Sequence, residues 1–359
     1  MFSYAILFIS SFLLCVLTVP RIIKKAVKLD VVDKPTTRKV HRKTIPLWGG
    51  VAIFSSFAAV LVFFYLIGSD IFPFNLLNGT EFSRFSFSFR ARLGLNSGVL
   101  GLKLAGLLLG GFVVIITGMI DDKTGLSPKK KLLGQLIAAL IVVSFGVRVQ
   151  GFNIPFMNHY VSLTSGQGFA GGALFVLSAA VSLIWILAVI NSMNFIDGLD
   201  GLAGGISLVS ALTFFSLAFF KPSTSLAGEN ISAFIAVVTA VLCGSIIGFL
   251  FFNFRPAKIF MGDAGSMFLG FMLASLSLIG SFKGVTAITL FTPALILSVP
   301  IFDIIFAVIR RIKNGVPVSL ADKSHLHHRL LALGLSPLQV VLIIWLIAAF
   351  FNVIAFLLA

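Results

Sequence analysis

Ten long apolar runs constrain this chain more than any other feature. They cover about 2–20, 48–68, 98–119, 132–149, 172–190, 201–220, 231–252, 265–282, 287–308 and 337–359. Each is near the roughly 20 residues that a helix needs to cross a bilayer. Only helices and closed barrels satisfy their backbone in lipid. Barrel strands alternate apolar and polar residues over about 10 positions, whereas these runs are continuously apolar. The expected fold is therefore an all-α integral membrane protein, a polytopic bundle of about ten helices. Composition agrees: 58% of residues are hydrophobic and 11% charged, against about one half and one quarter in soluble domains. The connections are mostly short, so residues 1–359 read as one membrane-embedded domain. The first run lacks a basic leader and an A-x-A-like cleavage site, so a retained span is expected rather than a signal peptide. Pro300 should bend the ninth run, 287–308. Cys15 and Cys243 fall inside spans and are expected to pack as small apolar residues rather than form a disulfide.

A net charge of +15 would suit nucleic acid if it formed one patch, but Lys and Arg occupy alternate loops. Loop 21–47 carries nine, loop 120–131 four, loop 253–264 two and loop 309–336 five, against six on the opposite side. The excess of cations makes the first set cytoplasmic. No nucleic-acid partner is expected, and with ten spans both termini face outward. Setting topology is an equally good account of the cations in loop 21–47 taken alone.

The acids need another cause, because carboxylates do little for topology. Of twelve, eight lie on the basic side: Asp30, Asp33, Asp121, Asp122, Asp197, Asp200, Asp263 and Asp322. Three sites punctuate span ends, in "GMIDDKTG", "NSMNFIDGLDG" and "FRPAKIFMGDAGS". Asp197 and Asp200 are three apart, so on a helical turn they would share a face, with Asn191 and Asn194 on the same pitch. Helix capping explains any one site; it explains three together beside a basic loop less well. Asp303 lies inside the ninth run. Two roles fit it equally: a pair with Arg310 or Arg311, or a place in a groove shaped by the bent helix.

The segment "ADKSHLHHRL" holds His325, His327, His328 and Arg329. Histidines suit a transition metal, but no cysteine is near. Asp and Asn oxygens suit Mg²⁺ or Mn²⁺. The metal is therefore assigned to the carboxylates, and the histidines and Arg329 to phosphate. Oxygen ligands for a divalent cation, several cations and glycine-flanked backbone describe a diphosphate site at a membrane face. The chemistry expected is phosphoryl transfer to or from a lipid. A transporter or lipid-diphosphate flippase is the alternative from another class, but it would keep its charged groups near the bilayer midplane.

The motifs "RKVHRKTIPLWGG", "GMIDDKTGLSPKKKLLGQ", "NSMNFIDGLDGLAGG", "FLFFNFRPAKIFMGDAGSMFLG" and "PIFDIIFAVIRRIKNGVPVSLADKSHLHHRL" resemble those of the polyprenyl-phosphate N-acetylhexosamine-1-phosphate transferases. The likeness runs over about residues 35–336. "HLHHRL" is similar to the WecA/TagO-type enzymes, which start O-antigen, common-antigen or wall-teichoic-acid synthesis. The MraY-type translocase usually has three consecutive histidines there. The resemblance implies that UDP-GlcNAc and undecaprenyl phosphate give undecaprenyl-diphospho-GlcNAc and UMP at the bacterial inner membrane, with UDP-MurNAc-pentapeptide as the alternative donor. By motif, Asp263 resembles the Mg²⁺ ligand with Asn194 beside it. Asp121 and Asp122 resemble a catalytic pair, Phe260 the residue stacked on uracil, and Asp197 and Asp200 nucleotide-site positions. His325, His327, His328 and Arg329 match a loop that contacts sugar and diphosphate; Lys131 and loop 38–50, with His41 and Lys43, match positions near the phosphates. Related enzymes imply a homodimer. They also commonly have eleven spans with the last end inside, where this chain shows ten.

On the outer side, "VRVQGFNIPF" (147–156) alternates like a strand, with Gly151 suited to a turn, so a short hairpin is expected. "RFSFSFRAR" (84–92) also alternates, as an aromatic interface anchor or, less favoured, a partner surface.

Overall fold

The computed structural model describes residues 2–35, 43–67, 98–154, 159–163, 168–221, 230–280, 291–313, 315 and 325–359. His41 and the 84–92 segment lie outside them. The described residues are helical almost throughout. Its helices are α1 (Phe2–Lys28), α2 (Gly49–Ile67), α3 (Gly98–Thr124), α4 (Pro128–Ser144), α5 (Gly168–Ile196) and α6 (Leu202–Phe220), followed by α7 (Ile231–Asn253), α8 (Gly262–Gly280), α9 (Phe291–Ile296), α10 (Ser298–Lys313), α11 (Leu326–Ala332) and α12 (Pro337–Leu358). Seven of these, α1, α3, α5, α6, α7, α8 and α12, are long and apolar enough to cross a membrane. The protein is thus an all-α multi-pass membrane protein. The other three expected runs are occupied by α2, α4 and the α9–α10 pair.

Several helices overrun the apolar runs, and the overrun carries the polar chemistry. α3 continues through Asp121 and Asp122, and α5 through Asn191 and Asn194. α4 starts early because Ser127 and Pro128 form a favourable N-terminus, and it stops before Gly146, whose φ is +87°. α12 begins at a capping box between Ser336 and Gln339.

α8 is buried from Ala264 to Gly280 and packs on α2, α3, α5 and α6. Small residues allow the close approach. A Cβ on Gly50 would lie 2.1 Å from the Gly265 backbone, and one on Gly118 2.3 Å from Ala264 Cα. α7 packs as closely on α1, where a Cβ on Gly244 would lie 2.2 Å from Phe8 O. Cys15 and Cys243 are buried and free in this packing.

The ninth run, expected to bend at Pro300, is instead broken at Leu297 into two helices. A proline lacks the N–H that would bond the carbonyl four residues back. That carbonyl, Ile296 O, accepts instead from Ser210 Oγ at 3.2 Å and Asn352 Nδ2 at 3.1 Å. The lower half-span, α10, turns large apolar side chains outward (Phe302, Phe306, Ile309 and Ile312) and buries Asp303, Ala307 and Arg311.

Two short antiparallel ribbons complete the described structure. β1 (Val32–Asp33) pairs with β2 (Ile45–Pro46), and β3 (Gly151–Ile154) with β4 (His159–Ser162). The expected hairpin exists, but Gly151 opens its first strand opposite Ser162 rather than making the turn. Residues 155–158, between the two strands, lie outside the described residues.

Candidate active site

The loops and helix ends that the sequence marked meet around a cavity of about 1140 Å³. Asp122, Asp197, Asp200 and Asp263 line it, with Lys43, Arg255 and Lys258, Asn194, Phe260, His327 and His328. Carboxylates and cations thus share one chamber at one end of the bundle.

The N-terminus of α8 is the keystone. Gly262 turns the chain with φ +69°, and a Cβ there would meet Asp122 Oδ2 at 2.4 Å. Asp122, at the end of α3, accepts from Asp263 N at 2.7 Å and Ala264 N at 3.4 Å. A carboxylate from another helix therefore satisfies the free N–H groups of this one. The 46–50 segment binds the other side: Phe260 N donates to Pro46 O, Gly49 N to Phe260 O and Gly50 N to Met261 O, each at 2.9 Å. Phe260 is thereby fixed at the cavity edge.

Beside Asp263 sits Lys131, from the first turn of α4. Its Nζ lies 2.8 Å from Asp263 Oδ2, 3.0 Å from Asp121 Oδ2 and 2.9 Å from Asn194 Oδ1. Asn194 Nδ2 donates to Asp263 Oδ1 and to Ser266 Oγ. Asp121 also accepts from Leu126 N at 2.6 Å, which closes the turn between α3 and α4. Asp121 and Lys131 thus stand one side chain behind the cavity wall.

Asp197 and Asp200 do not share a helical face, because α5 ends at Ile196 and both lie in the loop before α6. The glycines of "DGLDG" favour the loop; Gly201 has φ +78°. Asp200 Oδ2 accepts from Ala257 N at 3.2 Å and so ties this loop to the α7–α8 linker. Burial pushes the Asp197 carboxyl well above the usual carboxylate range, and the nearby Asp263, Asp122 and Asp200 add to it. Asn253, which the sequence reading passed over, accepts from Gly201 N at 3.0 Å and donates to Ile259 O at 2.8 Å. Its signal, an Asn closing an apolar helix before "FRPAK", has no meaning until the two loops are seen together.

The histidine segment divides. His327 and His328 line the cavity, and His327 lies against the acidic loop, where a Cβ on Gly198 would come within 2.5 Å of its Nε2. Burial lowers the His327 pKa to about 4, chiefly by desolvation with His328 adding to it. His325 is instead buried against Asp303, Nδ1 to Oδ2 at 2.8 Å, and is not part of the cavity lining. That contact replaces the pairing of Asp303 with Arg310 or Arg311 weighed from sequence. Arg329 is exposed and Asn191 pairs with Gln135 at 2.8 Å; neither lines the cavity.

Among the described residues, no three His, Cys, Asp or Glu side chains gather closely enough to cage a metal unaided. The donors nonetheless fit a hard divalent cation. Mg²⁺ is usually bound by one or two carboxylates and completed by water and substrate phosphate. Here two carboxylates and an amide oxygen already converge on a positive charge, the Lys131 ammonium.

Fold and cavity together define a class: a multi-pass membrane protein whose charged chamber lies where the helices end. Comparison narrows this. A model of glycosyl transferase family 4 matches residues 104–281. The chain is 38% identical over 355 residues to a probable undecaprenyl-phosphate N-acetylglucosaminyl 1-phosphate transferase of Bacillus subtilis, covering 99% of this chain and 85% of that one. It is 33% identical over 338 residues to a decaprenyl-phosphate N-acetylglucosaminephosphotransferase of Mycobacterium tuberculosis, covering 89% and 74%. An undecaprenyl-phosphate alpha-N-acetylglucosaminyl 1-phosphate transferase of Escherichia coli is 27% identical over 332 residues, covering 91% and 76%. The chain belongs to glycosyl transferase family 4.

Proposed function

We propose that this protein transfers GlcNAc-1-phosphate from UDP-GlcNAc to undecaprenyl phosphate, releasing UMP, on the cytoplasmic face of the bacterial inner membrane. The observation that carries the reading is the chamber itself, in which Asp122, Asp197, Asp200 and Asp263 face Lys43, Arg255 and Lys258 at the helix ends. Relatives matching 99% and 89% of the chain are named as N-acetylglucosamine phosphate transferases acting on undecaprenyl and decaprenyl phosphate.

The bond that forms joins the lipid phosphate oxygen to the sugar-bearing phosphorus. The bond that breaks is the one to the bridging oxygen, which leaves with UMP. The attacking phosphate is already anionic, so the main barrier is the approach of two anions. Lys43, Arg255 and Lys258 supply fixed positive charge. Lys131 holds Asp263 and Asp121 in place, and Phe260 offers an aromatic face at the cavity edge. His327, neutral in its buried site, donates or accepts one hydrogen bond to sugar or phosphate. Asp263 and Asn194 would hold Mg²⁺ or Mn²⁺, which when bound supplies charge neutralisation to the diphosphate.

The test is a donor panel with undecaprenyl phosphate and purified protein: UDP-GlcNAc, UDP-GalNAc and UDP-MurNAc-pentapeptide, each with Mg²⁺ or EDTA. UMP release from UDP-GlcNAc that EDTA abolishes is expected. Consumption of the pentapeptide donor alone would move the protein to the MraY type. No UMP from any donor would favour a transporter.

A further inference from the structure

We propose that Asp303 is a positioning residue for the transferase site, acting through His325 and helix α11; the inference rests on the chamber being that site. Asp303 lies on α10, in the half-span below the Leu297 break. Its carboxylate is used at both oxygens. Oδ2 faces His325 Nδ1 at 2.8 Å, and Oδ1 accepts from Leu326 N at 2.8 Å. An ionised Asp303 can only accept at Oδ2, and that requires a proton on His325 Nδ1.

The grip matters because α11 spans only Leu326–Ala332. A helix this short has no stability of its own, so tethers must place it. Asp303 holds its first turn. On the other side, the His325 ring stacks on Phe195, with centroids 5.6 Å apart and planes at 23°. Phe195 belongs to the last turn of α5, just before the acidic loop. The His327 ring lies parallel to that of His325, 6.1 Å away with planes at 4°, and presses on Gly198 in the loop. A line of contacts therefore runs from the broken span, through Asp303 and His325, to the side chain that lines the chamber. His325 and Asp303 are both buried and neither lines the chamber, so the pair seats His327 without touching substrate itself.

The structure thus separates two roles within one histidine segment. His327 faces the chamber, and His325 is the part of the seat that Asp303 holds. An asparagine at 325 can present an N–H where Nδ1 stands and keep the seat; a phenylalanine keeps the stacking and loses the hydrogen bond.

The test compares wild type, Asp303→Asn, His325→Asn, His325→Phe and the double variant Asp303→Asn/His325→Phe, each checked for an unchanged thermal midpoint. Asp303→Asn and His325→Phe should each lower kcat by about 10–100-fold with donor KM within about threefold, and the double variant should be no worse than the poorer single, the mark of residues that act as a unit. His325→Asn should stay within about tenfold of wild type. In ¹⁵N-histidine spectra, His325 should be protonated at Nδ1 in wild type and lose that form in Asp303→Asn. Multiplying losses, a fully active Asp303→Asn, a His325→Asn as weak as His325→Phe, or a wild-type His325 protonated at Nε2 and not at Nδ1 would each overturn the proposal. The spectra need no turnover, so an inactive wild type counts against the transferase reading and leaves this test standing.

Discussion

At the scale of single residues, the chamber depends on carboxylates doing different work. Asp122 caps α8, Asp121 closes a turn, Asp200 ties two loops, and Asp263 faces the chamber with Lys131 behind it. Replacing Asp263 by Ala leaves Lys131 with Asp121 and Asn194, so the protein should fold. Its turnover should fall by about 10³-fold or more, the scale expected when a charge-stabilising group is lost; near-normal turnover in folded protein would refute the role given to Asp263. His327 adds a pH dependence. Its folded pKa of about 4 lies below the ordinary 6.5, so the unfolded chain takes up the proton first. Its contribution is complete above about pH 6.5 and is lost as pH falls toward 4, up to about 3 kcal/mol. Thermal midpoints of wild type should therefore drop more steeply between pH 7 and 5 than those of His327→Gln. Parallel curves would show that His327 does not titrate in this way.

At the scale of elements, the site is held by backbone meeting backbone where α2, α3 and α8 converge. Gly50→Ala would drive a Cβ to 2.1 Å from the Gly265 backbone, where no flexible side chain can yield. Overpacking of this kind costs about 1–3 kcal/mol and occasionally more, and the displaced turn carries Phe260 and Asp263. Both stability and turnover should fall. Gly172, inside α5 with nothing near its Cβ position, is the matched control. There alanine should be neutral or stabilising by about 0.5–1 kcal/mol, because glycine weakens a helix. Circular dichroism melts of the two variants in one detergent check both, and equal melts would contradict the close-contact argument. The α9–α10 break follows the same logic in reverse: Ser210 and Asn352 meet the carbonyl that Pro300 leaves open, so the half-span carrying Asp303 has a defined start.

At the scale of the whole molecule, the bundle gathers five segments that are far apart in the chain into one chamber. Much of this was legible in the sequence. Continuous apolar runs permit only helices in lipid, and the charged residues left between them can collect only at the ends. The acids of "GMIDDKTG", "NFIDGLDG" and "FMGDAGS" were therefore recognisable as a set, and a bend in the ninth run followed from the N–H that Pro300 lacks. Tertiary structure alone decided how that set is divided. Asp122 and Asp263 are 141 positions apart, and so is the bond that makes one cap the helix of the other. The helical pitch that put Asp197 and Asp200 on one face failed because the glycines end the helix first. His325 and His327 look alike in sequence, yet one turns to Asp303 and the other to the chamber. Local pattern determines where a chain can be apolar and where it must be polar. Which polar group meets which depends on distances across helices, and short-range propensity carries no record of those.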